Sequence, residues 1–223
     1  MMGNMSTNKG FTILEALIFS AIFGIVVTAI YMMYSTSHTT FTRGQNRIDL
    51  QQNGRVAMEV MAREIRTSGY DPSNPPNGVI PGLATNPQNC VTPGGPGPYG
   101  PYAVQIACDN YIRFIADVDG NGTTDQVTYR LQGTQVLRDF SSWNGATFPP
   151  PASSILADFV GAVAFEYWDG GNGQLFAPLS AADLSNLRRI TIQLTTQTDE
   201  TLHGTATQQA SFPLSMDVRL RNL

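Results

Sequence analysis

The sequence is poor in charge, cysteine and histidine, and these shortages exclude several classes of function. Charged residues make up 13% of the 223 residues, and the formal net charge is −4. A nucleic-acid-binding protein normally carries a clustered basic surface, so no nucleic-acid partner is expected. Lys9 is the only lysine, and the two histidines, His38 and His203, lie far apart in the sequence.

Catalytic motifs are missing as well. The chain contains no G-x-S-x-G, no H-E-x-x-H and no phosphate-binding glycine loop. The glycine-rich run at 169–173 is typical of a turn rather than of a nucleotide site. We therefore expect a protein that is not an enzyme.

A long apolar run near the N-terminus is the strongest positive feature. Between residues 11 and 34 the only charged side chain is Glu15. A helix rises about 1.5 Å per residue, so this run can span a hydrocarbon core of about 30 Å. A secretory signal is cleaved after its apolar region, whereas here Lys9 and Gly10 stand before it. The pattern predicts a transmembrane helix at residues 11–34.

Glu15 is costly inside a bilayer unless it finds a partner, by about 2.5–3.5 kcal/mol on insertion scales. Burial alone leaves two interpretations open. The carboxylate either lies near the interface and reaches water, or it pairs with a cation at the same depth.

The segment KGFTILEALI resembles the prepilin-peptidase site of type IV pilins and type II secretion pseudopilins. In that family a basic leader ends in glycine, a phenylalanine opens the mature chain, and a glutamate stands fifth. Lys9, Gly10, Phe11 and Glu15 occupy these places. The resemblance implies that prepilin peptidase cuts between Gly10 and Phe11, removes the leader (residues 1–10) and leaves a Phe11 amine that is methylated. It also implies that Glu15 pairs with the Phe11 amine of a neighbouring subunit.

The same resemblance implies where the protein resides. It is expected in the inner (cytoplasmic) membrane with a single span, its head on the periplasmic or extracellular side, and then in a pilus. The expected partners are prepilin peptidase, the inner membrane and other pilin subunits through the N-terminal helix. A misplaced subunit would leave a charge unpaired in lipid, so the Glu15 pairing selects the assembly register.

Helical spacing continues beyond the apolar run. Residues 35–68 lack proline, and apolar residues recur at i, i+3 and i+4 up to Ile65, which predicts an amphipathic continuation to about Thr67. Gly44 and Gly54 are expected to let the helix bend or locally melt. Gly69 is expected to end it.

Residues 69–223 predict a globular β-rich head with a Gly/Pro-rich loop at 72–101. Ile190, Ile192 and Leu194 show the period of two of a half-buried antiparallel strand. The predicted strands are 111–116, 126–132, 134–138, 160–168, 189–198 and 209–219, and the predicted short helix is 180–187. The expected fold is α+β and pilin-like, with a long N-terminal transmembrane helix packed on an antiparallel sheet.

A second resemblance narrows the family. The segment DLQQNGRVAMEVMAREIRTSGYDP is similar to the stretch after the membrane helix of PilW-type minor pilins. The residues that carry this match are Asn53, Gly54, Arg55, Arg63, Arg66, Gly69 and Tyr70. The later segment LRRITIQLTTQT resembles a strand of PilW-type minor pilins and of the related J-type pseudopilins.

The second resemblance implies a minor pilin that helps to initiate or cap a type IV pilus. Two alternatives stay open. One is a J-type pseudopilin at the tip of a type II secretion pseudopilus. The other is a membrane-anchored binding or adhesion protein that recognises a surface through the loop at 72–101.

The two cysteines, Cys90 and Cys108, lack the C-x-x-C spacing of a metal or redox site. In an exported head they can form a disulfide. That bond would close a loop of about 19 residues and stabilise the fold by about 3 kcal/mol in the chain-entropy model. Two buried free thiols are the alternative.

One run in the head has the pattern of a calcium loop. Asp117, Asp119, Asn121 and Asp125 stand at positions 1, 3, 5 and 9 of an EF-hand-like sequence. The glutamate expected at the twelfth position is replaced by Thr128, and no helix is predicted before the loop. The run is either a calcium site or a hairpin connection whose side chains bond their own backbone. No other cofactor is predicted.

Overall fold

A computed structural model describes residues 11–69, 103–145, 148–197 and 211–221. The leader, Cys90 and the loop at 72–101 lie outside the described residues. The described ranges contain helices α1 (Ile13–Arg66) and α2 (Ala181–Asn186). The strands are β1 (Val104–Ala107), β2 (Tyr111–Ala116), β3 (Asp125–Gln132), β4 (Gln135–Ser142), β5 (Ala152–Ala157), β6 (Val160–Asp169), β7 (Gln174–Leu175), β8 (Leu187–Gln197) and β9 (Ser211–Arg219).

Helix α1 is a continuous run of 54 residues. The apolar and amphipathic segments predicted from the sequence therefore belong to one helix. It ends close to the predicted Thr67, and Gly69 follows with φ of +85°, a left-handed conformation that glycine adopts without strain. The Gly69 N–H donates to the carbonyl of Ile115 at 2.9 Å, which ties the end of the helix to β2.

The chain divides into two compact units, and their boundary lies between Arg47 and Ile48, within α1. In the first unit the described side chains are exposed almost throughout. Among the described residues α1 is the one helix long and apolar enough to cross a membrane, and none of its most apolar stretch is buried.

The described residues of the second unit form two antiparallel sheets. The first has the order β1-β2-β3-β4-β5, and the second has the order β7-β6-β8-β9. The predicted class, a long N-terminal helix with an antiparallel β head, is confirmed, with two sheets where the sequence suggested one. The short helix α2 begins after Ser180, whose side chain accepts from the Asp183 N–H in a capping box.

The main core of the second unit joins α1 to both sheets. Helix α1 contributes Ala57, Met58, Met61, Ala62 and Ile65, which follow the predicted helical spacing. The sheets contribute Ile112, Phe114, Val127, Tyr129, Phe165, Tyr167, Ile190, Ile192 and Leu194, among others. Full burial of one large apolar side chain contributes about 1.5–3 kcal/mol, so this core is the main source of stability.

Gly54 lies where α1 packs closely on the second sheet. A Cβ at this position would stand 2.8 Å from Leu214 Cδ1 and 2.8 Å from Thr196 Cγ2. At Gly44, nothing outside the helix's own backbone lies within 4 Å of the corresponding point in the described chain. The helix continues through both glycines, and at Gly54 the missing side chain allows close packing.

Candidate functional site

The N-terminal end of α1 carries the site residues predicted from the sequence. Gly10 lies outside the described residues, and Phe11 stands before the helix with its side chain 78% exposed. Glu15 lies in the first helical turn and is exposed. A carboxylate in the first turn lies at the positive end of the helix dipole, a position that stabilises the helix.

Thr12 caps this helix end, a role that the sequence interpretation missed. Its Oγ1 accepts from the Glu15 N–H at 3.3 Å, and its hydroxyl donates to Glu15 Oε2 at 3.4 Å. Threonine followed three residues later by glutamate is the sequence signal of a capped helix start. The cap satisfies one of the N–H groups that a helix terminus leaves unpaired.

Hydroxyl groups along the apolar stretch bond within the helix. Ser20 donates to the Leu17 carbonyl at 2.9 Å, and Thr28 donates to the Gly24 carbonyl at 2.8 Å. These polar groups therefore need no partner from outside. Glu15 differs from them because it carries the only charge between residues 11 and 34. The Thr12 hydroxyl, at 3.4 Å, does not neutralise this charge.

Cys108 lies at the end of β1 and is 1% exposed. It is disulfide-bonded. Because Cys90 lies outside the described residues, its pairing with Cys108 stays a prediction.

The loop between β2 and β3 brings the three predicted aspartates together. Asp117, Asp119 and Asp125 each place a carboxylate oxygen within 4.8 Å of the others. Burial raises the pKa of Asp125, and the charges of Asp119 and Asp117 add to that rise, although hydrogen bonds from Ser142 and the Val118 N–H oppose it. The cluster therefore concentrates negative charge that a cation would relieve.

The same loop also uses its side chains to hold its own backbone. Asp117 accepts from the N–H groups of Gly120 at 2.8 Å, Asn121 at 3.1 Å and Gly122 at 3.0 Å. The Asn121 side-chain oxygen accepts from the Thr123 N–H at 2.7 Å. These bonds are the ones expected of an Asp/Asn-rich hairpin connection.

The donor set of this loop suits a hard cation such as calcium, since it consists of carboxylate oxygens. Asp117, Asp119 and Asp125 would be the ligands. Asn121 fits less well, because its oxygen is engaged with Thr123. Calcium binding stays a prediction.

Comparison with known proteins finds a described sequence motif at the N-terminus. A family model described as the prokaryotic N-terminal methylation motif matches residues 5–31, which include Gly10, Phe11 and Glu15. No curated protein matches the chain. Among solved structures, a type IV-like pilin from Thermus thermophilus is similar at 14% identity with a TM-score of 0.45. That alignment covers 78% of this chain and 98% of the other.

Proposed function

We propose that this chain is a pilin subunit that is cut by prepilin peptidase, methylated at Phe11 and assembled into a filament through α1. One observation carries the proposal. The methylation motif occupies residues 5–31, and the most apolar stretch of α1, which overlaps and follows it, is exposed along its whole length. Such a surface is stable in lipid or against other apolar helices, and both environments are used in turn by a pilin.

The geometry of the first turn leaves room for the charge pairing that the resemblance implies. Cleavage after Gly10 would create an amine on Phe11, one residue before the Thr12 cap and four before Glu15. The Thr12 hydroxyl contact with Glu15 is long and weak, so a neighbour's amine can replace it at little cost. A subunit in the wrong axial position would leave both charges unpaired in an apolar environment, which is strongly unfavourable.

Within the pilins we favour a minor pilin of the PilW type that helps to initiate or cap the filament, a structural role rather than an enzymatic one. Two of the residues that carry the PilW-type resemblance have structural roles in this head. Gly54 permits the close packing of α1 on the second sheet, and Gly69 takes the left-handed conformation that ends the helix. A J-type pseudopilin remains the second candidate. Deletion of the gene separates the two, since loss of surface pili supports the first and loss of secretion alone supports the second.

A substitution series tests assembly. Glu15→Gln keeps the size of the side chain and removes its charge, and we expect membrane insertion with poor incorporation into filaments. Ser20→Ala is the matched control, because Ser20 bonds only within its own helix turn. The readouts are the amount of protein in sheared filaments and, by mass spectrometry, a methylated Phe11 N-terminus. Normal incorporation of Glu15→Gln, or a leader retained in assembled filaments, would refute the proposal.

A further inference from the structure

The loop between β2 and β3 carries a three-residue sequence that the proposed function does not use. Asn121-Gly122-Thr123 has the form N-x-S/T, the acceptor sequence for N-linked sugars. The same form occurs once more in the chain, at residues 4–6, within the predicted leader. Because so short a pattern also arises by chance, the surroundings of the asparagine decide whether it can be modified.

Asn121 stands at the exposed part of this loop. Asn121 and Gly122 are exposed, whereas the strand ends on either side, Ala116 and Asp125, are fully buried. A Cβ added at Gly120 or at Gly122 would find nothing within 4 Å in the described chain. Open space therefore surrounds the asparagine on both sides, and a bulky group on its side chain would meet no obstacle there. Sugars on asparagine occur at such surface positions.

The side-chain amide of Asn121 is held in one orientation by two neighbours. Its oxygen accepts from the Thr123 N–H at 2.7 Å and also from the Thr123 hydroxyl. Its Nδ2 donates to Asp119 Oδ2 at 2.8 Å. A side-chain amide has two N–H donors, and the second has no partner among the described residues. The nitrogen is thus positioned and still accessible.

The Thr123 hydroxyl has a chemical role in this arrangement. An amide nitrogen is a poor nucleophile, because its lone pair is delocalised onto the oxygen. When the nitrogen reacts and loses a proton, negative charge develops on that oxygen, where the Thr123 N–H and hydroxyl both donate. Donors already directed at a developing charge lower the barrier to its formation. The third position of the sequence therefore acts directly on the amide of the first.

We propose that Asn121 is a glycosylation site, which accepts a sugar from a glycosyl diphosphate through a transferase on the exported side of the membrane. The proposal rests on the export of the head that the proposed function requires. Asn121 Nδ2 forms a bond to the anomeric carbon of the sugar as the bond from that carbon to the diphosphate oxygen breaks. The diphosphate leaves with the bonding electron pair and takes up the amide proton, so that no oxidant or reductant is needed.

Mass spectrometry of the full chain, purified from the cells that produce it naturally, tests this proposal. Cleavage after arginine releases the peptide 114–130, which contains Asn121. We expect this peptide to carry a sugar that fragmentation locates on Asn121. Asn172 is the internal control, because it is also exposed and followed by glycine, but Gln174 stands where a serine or threonine would be needed. No sugar is expected on Asn172.

Two substitutions at Thr123 separate the hydroxyl from the shape of the loop. Both keep the backbone N–H that donates to Asn121. Thr123→Ser retains the hydroxyl and should retain the sugar, whereas Thr123→Val keeps the size of the side chain without the hydroxyl and should lose the sugar. Equal modification of the two variants would overturn the proposal. Asn121→Gln should also lose the sugar, and a sugar that persists on its peptide 114–130 would lie on a hydroxyl group and would likewise overturn the proposal.

The same spectra separate this proposal from the proposed function. An unmodified Asn121 in the natural chain overturns the glycosylation site. If that chain begins at a methylated Phe11, the proposed function stands although the site has failed. If assembled chains retain the leader but carry a sugar on Asn121, the proposed function fails and the site stands.

Discussion

The Tyr129 hydroxyl donates a hydrogen bond to Oε2 of Glu64, so that β3 and the second half of α1 share a buried polar contact across 65 positions of sequence. Arg138 Nε, from β4, donates to the same oxygen at 3.0 Å. The Glu64 side chain is only 10% exposed. Any shift of α1 along the sheet would leave this carboxylate buried without partners, so the contact fixes the helix in one register.

Glu64→Leu should destabilise the protein, because it leaves the Arg138 guanidinium and the Tyr129 hydroxyl without their acceptor. We expect the free energy of unfolding to fall by about 2–4 kcal/mol. Glu59→Gln, on the exposed side of the same helix, is the control and should change it by less than about 0.5 kcal/mol. Denaturant titration of the full chain in detergent, followed by tryptophan fluorescence, measures both. Equal losses would show that the contact does not fix the helix.

Three buried tyrosines predict a loss of stability at high pH. Burial raises the pKa of Tyr129, and the charge of Glu64 raises it further. Burial also raises the pKa of Tyr111 and of Tyr167. The folded state then holds these protons more tightly than the unfolded chain, in which tyrosine titrates near pH 10. Their stabilisation is therefore complete below about pH 10 and declines above it, by about 1.4 kcal/mol per pH unit for each tyrosine.

Tyr129→Phe isolates one of these contributions. Above about pH 10, the slope of the unfolding free energy against pH should become shallower by about 1.4 kcal/mol per pH unit, which is the contribution of one tyrosine. Tyr31→Phe, at an exposed position of α1, should leave the slope as it is. An unchanged slope in Tyr129→Phe would mean that this tyrosine ionises as readily in the folded protein as in the unfolded chain.

Gly54→Ala should destabilise the second unit even though alanine is the better helix former. The added Cβ would meet Leu214 and Thr196 at 2.8 Å, and the resulting strain of about 1–3 kcal/mol outweighs a gain of about 1 kcal/mol in helix propensity. Asn53→Ala changes the exposed neighbour and should be neutral or stabilising. The companion variant Gly54→Ala with Leu214→Ala should recover part of the loss. No recovery in that double variant would contradict the packing explanation.

The elements that the sequence predicted well are those with strong local signals. Strand β2 is rich in β-branched and aromatic residues, and α2 begins with a Ser-x-x-Asp cap. Strands β1, β5 and β7 were missed. Strand β5 contains two serines, follows a proline run and lies at a sheet edge, so its pairing with β4 rather than its own propensity makes it a strand.

The buried polar contact of Glu64 could not be predicted from the sequence, for a different reason. Glu64 reads as one more charge on an amphipathic helix, and only Tyr129 and Arg138, from strands far along the chain, show that it is buried. At the N-terminus the opposite holds. The motif that predicts roles for Phe11 and Glu15 is contiguous, and the signal of the Thr12 cap, although it was missed, lies in the same few letters.

Calcium, if the loop between β2 and β3 binds it, should raise the melting temperature of the full chain in detergent. Without a bidentate glutamate the affinity should lie near 10⁻⁴ to 10⁻³ M, so millimolar calcium would add about 1 kcal/mol. Asp119→Ala should abolish the response, because it removes one of the three candidate ligands. It should disturb the loop itself little, since the bonds of Asp119 within the loop reach only Asn121. Asp49→Ala, an exposed aspartate on α1, should keep it. Equal melting of the unmodified protein in calcium and in chelator would leave the hairpin interpretation alone.

The order of strands in the first sheet has a consequence for how the head folds. Each strand there pairs only with its neighbours in sequence, so every hairpin closes a short loop at a small entropic cost. The bond from Glu64 to Tyr129, in contrast, must close 65 residues. We expect this meander to form early, with α1 docking onto a sheet that already exists. The chain would then present Cys108 on a formed strand end before its disulfide closes.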